Sequence, residues 1–192
     1  VDSNEYGLEV TCTAGCDREW TRYPVLFMHG MAGTDTYFGL LDYFFQLEGH
    51  LSDPGYLVFF RAADAVNGIE ARSEQWHEHI QELVDEGMGR KFNLIAHSQG
   101  ALDARYLTSI LDGEGRVASV VSVSGAHHGT PLADVVTGTF DLFPVSEVML
   151  DLILGTLTGL VGLSGVDLVQ QMQDLSTDSV AAFNDEVLDV EG

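Results

Sequence analysis

The feature of this sequence that most restricts its fold is an apolar run that ends in a turn of small residues and continues as a helix. Phe92-Asn-Leu-Ile-Ala96 has the length and composition of a buried strand, and apolar residues at helical spacing follow over 101–111. The turn between them reads Ala96-His-Ser-Gln-Gly100. A strand that passes directly into a helix indicates a parallel sheet, because parallel strands are joined by helical crossovers.

The same alternation of apolar runs and helical periodicity extends over most of the chain. It predicts strands at 24–28, 55–60, 92–96 and 117–123, and helices at 36–47, 70–86, 101–111 and 177–188. The strand 117–123 is expected to be strongly buried. Strands that alternate with helices predict an α/β fold with a mostly parallel sheet and helices on both of its faces.

The charge balance excludes one large class of partners. The 192 residues include 30 Asp and Glu but 8 Lys and Arg, which gives a net charge of −22. A surface this negative repels phosphate backbones, so nucleic-acid binding is excluded as a function. The hydrophobic share of 45% is typical of a globular chain, and the chain is long enough to bury a core.

The turn at Ser98 has the composition of a nucleophile elbow. In that arrangement a serine is lifted out of the sheet with its hydroxyl exposed, between a strand and a helix. The residues two positions before and after it must be small, as Ala96 and Gly100 are, and His97 completes the turn. We therefore predict that Ser98 is a nucleophile for acyl transfer, with an ordinary turn serine as the alternative.

A loop upstream of the elbow supplies the second element of an acyl-transfer site. The oxyanion of the reaction needs two backbone N–H donors, one from the residue after the nucleophile and one from a loop after an earlier strand. These positions are Gln99 and Met31, the latter in the loop His29–Gly33. His29 and Gly30 are the supporting residues of this loop, whose glycines let the backbone approach the site closely.

These motifs together resemble those of the secreted bacterial true lipases, which are triacylglycerol lipases with the α/β-hydrolase fold. The resemblance rests on Tyr23-Pro-Val-Leu-Phe-Met-His-Gly-Met-Ala-Gly-Thr-Asp35, Asn93-Leu-Ile-Ala-His-Ser-Gln-Gly100, Arg105-Tyr106, Val117-Ala-Ser-Val-Val121 and Arg72-Ser-Glu-Gln75. Gly125-Ala-His-His-Gly-Thr-Pro131 is similar to the Gly-Thr-Pro-His loop of that family with its order changed. The resemblance covers about residues 20–190. It implies a carboxylic ester hydrolase that acts on triacylglycerols at lipid–water interfaces.

Three other functions stay open at this point. A short-chain esterase or a polyester depolymerase would use the same residues within the enzyme class. A non-catalytic lipid-binding or interaction module with a degenerate triad is the alternative from another class.

The base of the catalytic triad departs from the order of this fold, in which serine, acid and histidine follow one another along the chain. After Ser98 the sequence has only His127 and His128, directly behind the predicted strand 117–123, where the family has a structural loop histidine. We expect the acid and the base in sequence beyond residue 192, with His127 or His128 as the remaining candidates for the base. Residues 1–192 would then be the N-terminal portion of the enzyme and inactive alone.

The chain is expected to divide into four segments. Residues 1–19 form an N-terminal segment in which Cys12 and Cys16 are expected to form a local disulfide rather than to stay free thiols. Residues 20–139 are the N-terminal part of the α/β-hydrolase core. Residues 140–176 are apolar and glycine-rich, and we expect a helical lid there, with two core-facing helices as the alternative. Residues 177–192 hold a helix and the chain end.

Expected partners are the lipid or ester substrate, a lipid–water interface, and a C-terminal fragment of the same protein. No catalytic cofactor and no metal site are expected within the chain. The resemblance implies a structural Ca²⁺ in the missing C-terminal part and a lipase-specific folding chaperone. The cysteine pair and the start at Val1 without methionine predict that the protein is secreted.

Overall fold

The computed structural model describes residues 21–31, 36–37, 41–42, 44, 47–52, 56–65, 67–137 and 171–190. The expected disulfide between Cys12 and Cys16 lies outside these residues, as does the part of the expected lid before residue 171. Within the described ranges, no helix is long and apolar enough to cross a membrane.

Strands and helices alternate along the described chain from α1 to β6. The strands are β1 (Val25–Met28), β2 (Thr36–Tyr37), β3 (Leu41–Asp42), β4 (Val58–Phe60), β5 (Phe92–His97) and β6 (Val117–Val123). The helices are α1 (Leu47–Ser52), α2 (Ile69–Asp85), α3 (Gly100–Tyr106), α4 (Pro131–Val136) and α5 (Thr177–Val190). A π-helical turn, Leu107–Leu111, continues α3, so the helix predicted over 101–111 is confirmed.

The main sheet is parallel and has the strand order β4–β1–β5–β6. Its register sets Met28 beside Ala96, and Ala96 beside Ser122. Because these strands run in the same direction, their carboxyl ends meet at one edge of the sheet, where such folds bind ligands. The loop that begins at His29 and the turn at Ser98 are therefore neighbours.

The core lies between this sheet and the helices α2 and α3. All four residues of β1 are buried, as expected for a central strand covered on both faces. From α2, Trp76, Ile80 and Leu83 are turned onto the sheet at the spacing of one helical face. A second cluster joins α3 to α4 and α5, and its members include Leu102, Val136, Val180 and Phe183.

One predicted helix is wrong in the structure. Residues 36–47 were expected to be helical, but Thr36–Tyr37 and Leu41–Asp42 form a short antiparallel pair. Thr and Tyr favour extended backbone, and cross-strand pairing of these few residues prevails over the helical spacing of the apolar positions. The helix α1 begins only at Leu47.

The strand 117–123 is present, but it is exposed rather than strongly buried. It is the last strand of the described sheet and is paired on one side only, with β5. Val121 is 50% exposed and Val123 is 42% exposed. The apolar composition of β6 is that of an interior strand, yet none of the described residues covers its outer edge.

Candidate active site

Ser98 lies at the point where β5 ends and α3 begins. Its φ angle of 55° is in the left-handed region, which residues other than glycine rarely adopt. The Ser98 N–H donates to the carbonyl oxygen of Val123, at 3.0 Å, and so joins the turn to the end of β6. A serine held in this conformation between a strand and a helix is the local geometry of a nucleophile elbow.

The turn contacts the loop after β1 directly. A Cβ atom on Gly100 would lie 2.7 Å from the carbonyl oxygen of His29 and 2.8 Å from that of Met28. Both atoms belong to backbone that cannot move aside, so only glycine fits at this position. The structure thus brings together the two segments that the sequence analysis assigned to the oxyanion site.

His29 fixes the start of this loop by two hydrogen bonds. Its Nε2 accepts from the N–H of Ala63 at 3.1 Å, and its Nδ1 lies 2.8 Å from the carbonyl oxygen of Gly30. An Nε2 that accepts carries no proton, so we assign the ring proton to Nδ1, which donates to Gly30. The ring is buried and meets Trp76 edge-on, with the centroids 5.4 Å apart.

Arg72, which is fully buried, also holds this loop through hydrogen bonds. Its Nη2 donates to the carbonyl oxygen of His29 at 2.7 Å, and its Nη1 donates to that of Asp64. Its Nε donates to Oδ2 of the fully buried Asp103 at 2.8 Å. One guanidinium therefore links α2 and α3 to the backbone of the loop that begins at His29.

The carboxyl group of Asp103 is in an unusual electrostatic environment. Burial raises its pKa from 3.8 to about 6, although the ion pair with Arg72 and a hydrogen bond from Trp76 Nε1 act in the opposite direction. The desolvation of the charged form thus outweighs the attraction of the guanidinium.

Gln99, the predicted second oxyanion donor, is completely buried at the start of α3. Its backbone N–H precedes the first turn of the helix and lies outside the helical hydrogen-bond ladder. Its side chain is held at both ends: Nε2 donates to the carbonyl oxygen of Asn67 at 3.0 Å, and Oε1 accepts from Nε2 of Gln171 at 2.6 Å. Among the described residues, none hydrogen-bonds the hydroxyl of Ser98.

The two histidines after Ser98 differ in their contacts. The Nε2 atom of His127 is hydrogen-bonded to the hydroxyl of Ser122 on β6 at 2.7 Å. Burial lowers the pKa of His127, and Arg105 and His128 lower it further, so all three favour the neutral ring. His128 is exposed. The ring of His127 is thus engaged with β6 rather than with Ser98.

Three side chains around the site were not singled out in the sequence as site residues. Arg72 was recognised only as part of a motif, and its position four residues before Trp76 on the buried face of α2 could have marked it. Asp103 and Gln171 carry no such local signal.

His97, a predicted residue of the turn, is half-buried and lies beside Val123 in the sheet register. The described residues contain no group of three or more His, Cys, Asp or Glu that could hold a metal ion.

A left-handed serine between a parallel strand and a helix, beside an upstream His-Gly loop, defines the α/β-hydrolase class. A family model described as palmitoyl protein thioesterase matches residues 24–150. The chain belongs to that family, and its resemblance to bacterial lipases, expected from the motifs, is confirmed by curated relatives.

Three of these relatives are bacterial proteins named triacylglycerol lipase. The one from Pseudomonas fragi is 38% identical over 170 residues, which are 85% of this chain and 57% of that protein. The one from Vibrio cholerae is 37% identical over 143 residues, 74% of this chain and 44% of that protein. The one from Burkholderia plantarii is 31% identical over 175 residues, which are 85% of this chain and 48% of that protein. The chain thus spans about half the length of these relatives.

Solved structures support the fold. The mature form of the Bacillus licheniformis lipase BlEst2 superposes with a TM-score of 0.65 at 18% identity, over 86% of this chain and 59% of that one. A metagenomic carboxyl esterase superposes with a TM-score of 0.57 at 22% identity, over 84% of this chain and 44% of that one. At these identities the likeness concerns the fold alone, and it confirms the predicted α/β-hydrolase architecture.

Proposed function

We propose that these residues are the nucleophile-bearing part of a serine-dependent carboxylic ester hydrolase that acts on triacylglycerols. The observation that carries the proposal is the left-handed Ser98 at the end of β5, packed against the loop at His29 through Gly100. The curated relatives named triacylglycerol lipase support the choice of substrate.

In this reaction the Ser98 hydroxyl attacks the ester carbonyl carbon while a histidine takes its proton. The carbonyl oxygen becomes an oxyanion that accepts hydrogen bonds from the backbone N–H groups of Met31 and Gln99. The C–O bond to the alcohol then breaks, and the alcohol leaves with the proton from the histidine. Water attacks the acyl-enzyme in the same way, which releases the fatty acid and restores Ser98.

The contacts of the oxyanion loop support this role because they fix the donors before substrate arrives. Arg72 donates to the carbonyl oxygen of His29, and the ring of His29 accepts from Ala63, so buried hydrogen bonds hold the start of the loop backbone. Such preorganisation is the main source of oxyanion stabilisation in acyl transfer.

We further propose that the acid and the base belong to sequence outside these residues. Three observations support this: His127 is bound to Ser122, the chain spans only about half the length of the relatives, and the outer edge of β6 is exposed. Secretion, a structural Ca²⁺ site and a folding chaperone stay predictions, as do the lid and its action at lipid–water interfaces.

The test is covalent labelling of the intact protein, with any sequence that accompanies these residues, by a fluorescent alkyl phosphonate. We expect labelling that Ser98→Ala abolishes, together with a loss of ester hydrolysis of roughly 10⁴- to 10⁶-fold. Ser124 is the matched control, because it is the other described non-glycine residue at positive φ, 50°. Ser124→Ala should keep both labelling and activity.

The same assay separates the alternatives. Labelling that persists in Ser98→Ala would contradict the proposal, and an intact protein that never labels would favour a non-catalytic lipid-binding module. A series of triglycerides of increasing chain length, compared with polyester film, distinguishes a lipase from a short-chain esterase or a polyester depolymerase.

A further inference from the structure

We propose that Gln171 is a positioning residue for the oxyanion donor Gln99, and so sets the rate of the chemical step without touching the substrate. This inference rests on the proposed serine hydrolase function. The two residues are 72 positions apart in sequence, and Gln171 lies near the end of the apolar segment 140–176, where no local motif marks it.

The contact between the two side chains is short and fully enclosed. Gln171 is 1% exposed and Gln99 is 0% exposed, and the Nε2 atom of Gln171 lies 2.6 Å from Oε1 of Gln99. The same Nε2 lies 3.4 Å from the carbonyl oxygen of Ala65 and 3.5 Å from that of Asn67. Three oxygen acceptors around one nitrogen fix the orientation of the Gln171 amide, because the flipped group would bring its own oxygen against all three.

The carboxamide of Gln99 has no freedom left once this bond is made. Its Nε2 donates to the carbonyl oxygen of Asn67, so donor and acceptor are both engaged. The side chain of Gln99 begins on the Cα atom that also carries the proposed N–H donor. Hydrogen bonds at both ends of the side chain therefore also hold the peptide unit that donates to the oxyanion. This N–H donor must be placed to a fraction of an ångström.

Gln171 is itself anchored in the fold rather than attached to a loose segment. Residues 171–174 are helical, and the carbonyl oxygen of Leu175 accepts from the N–H of Thr130 at 2.9 Å. Two residues later the N–H of Thr177 donates to Oδ1 of Asp134 at 2.8 Å. The amide of Gln171 thus connects the segment that is anchored to α4 with Gln99 in the elbow.

A buried oxygen atom of Gln171 that has no hydrogen-bond partner supports a functional role for this side chain. The Oε1 atom of Gln171 is buried and has no hydrogen-bond partner within the described part of the chain. A buried polar atom without a partner is destabilising, and an apolar side chain of the same size would avoid that cost. An amide at this position is understandable if its N–H donor is needed to hold Gln99.

The experiment compares Gln171→Met with the parent in the intact protein. A phosphonate titrates the number of active sites, and a soluble ester then gives kcat per titrated site and KM. We expect kcat per titrated site to fall about tenfold with KM within twofold of the parent, since a displaced oxyanion donor weakens transition-state binding only. Gln173→Met is the matched control, because Gln173 lies on the same helical segment and is exposed; it should behave as the parent.

A purely structural role would reduce the number of titratable sites but leave kcat per site unchanged, and that result would overturn the inference. Gln171→Glu is the second variant, since it keeps the size and replaces the donor by an acceptor; it should show the same loss per site. The pair Gln99→Met and Gln171→Met should be non-additive if they act through one bond. A parent that the phosphonate does not titrate at all would instead refute the proposed serine hydrolase function and this inference with it.

Discussion

A Cβ atom on Gly100 would lie 2.7 Å from the carbonyl oxygen of His29, so the turn at Ser98 and the loop after β1 pack directly against each other. The contact is made by backbone atoms on both sides. The geometry of the site is therefore a property of the fold rather than of adjustable side chains, and it can be tested by changing a single hydrogen atom to a methyl group.

The first prediction is that Gly100→Ala is destabilising and displaces the oxyanion loop. The added methyl group overlaps backbone that cannot relax without moving β1, which costs about 1–3 kcal/mol. Ester hydrolysis should fall by more than the loss of folded protein explains. Gly113→Ala is the control, since a Cβ there meets nothing within 4 Å. A Gly100→Ala protein as stable and active as the control would contradict the packing described here.

A second prediction concerns the buried ion pair of Arg72 and Asp103. Arg72→Met leaves an uncompensated buried carboxyl group and should lower the free energy of unfolding by about 3–5 kcal/mol, measured by urea denaturation. The double variant Arg72→Met with Asp103→Leu removes both charges and should recover more than half of that loss.

The same pair of variants separates stability from positioning. In the double variant no guanidinium holds the carbonyl oxygen of His29, so hydrolysis should stay low although stability returns. If activity recovers in step with stability, Arg72 acts only on folding and has no part in placing the loop.

Some of the site was predictable from the sequence because its determinants are local. The elbow at Ser98 depends on small residues within two positions, and the His-Gly loop depends on the residue type after one strand. Both are steric requirements of neighbouring residues, so a pattern of a few letters is sufficient to identify them.

The features that sequence reasoning missed depend on long-range partners. Arg72 pairs with Asp103 across 31 positions and Gln171 reaches Gln99 across 72, and no periodicity encodes such pairs. The exposure of Val121 also depends on distant residues. The apolar composition of β6 indicates an interior strand, but it does not identify the segment that would cover the strand. The helix expected over 36–47 is wrong because Thr36–Tyr37 and Leu41–Asp42 pair with each other as strands.

A third prediction tests the proposed lid in the stretch 152–163, which lies outside the described residues. If this apolar stretch covers the site in water and opens at a lipid surface, hydrolysis should rise disproportionately once a triglyceride exceeds its solubility. Replacing Leu157 and Leu160 by Ser should blunt that rise, since less apolar area reaches the lipid phase. Saturation kinetics that continue unchanged through the solubility limit would count against a lid.

The last prediction is a pH dependence of stability that originates at Asp103. Its pKa is raised from 3.8 to about 6 by burial, so the folded state holds this proton more tightly than the unfolded chain does. The stabilisation from the protonated group is therefore complete below pH 3.8 and is lost as the pH rises through about 6. Asp103→Asn cannot titrate, so the free energy of unfolding of the parent minus that of the variant should increase as the pH falls from 7 to about 4.5.

Urea denaturation at a series of pH values measures this difference directly. Taking the difference between the two proteins cancels every other titrating group, including Asp64, whose pKa is lowered by hydrogen bonds from Gln75 and Asn67. Glu78→Gln on the exposed side of α2 removes one carboxylate without touching the buried pair, and should leave the profile of the parent unchanged. A difference between parent and Asp103→Asn that is flat over this range would mean that the ion pair with Arg72, rather than burial, governs the charge state of Asp103.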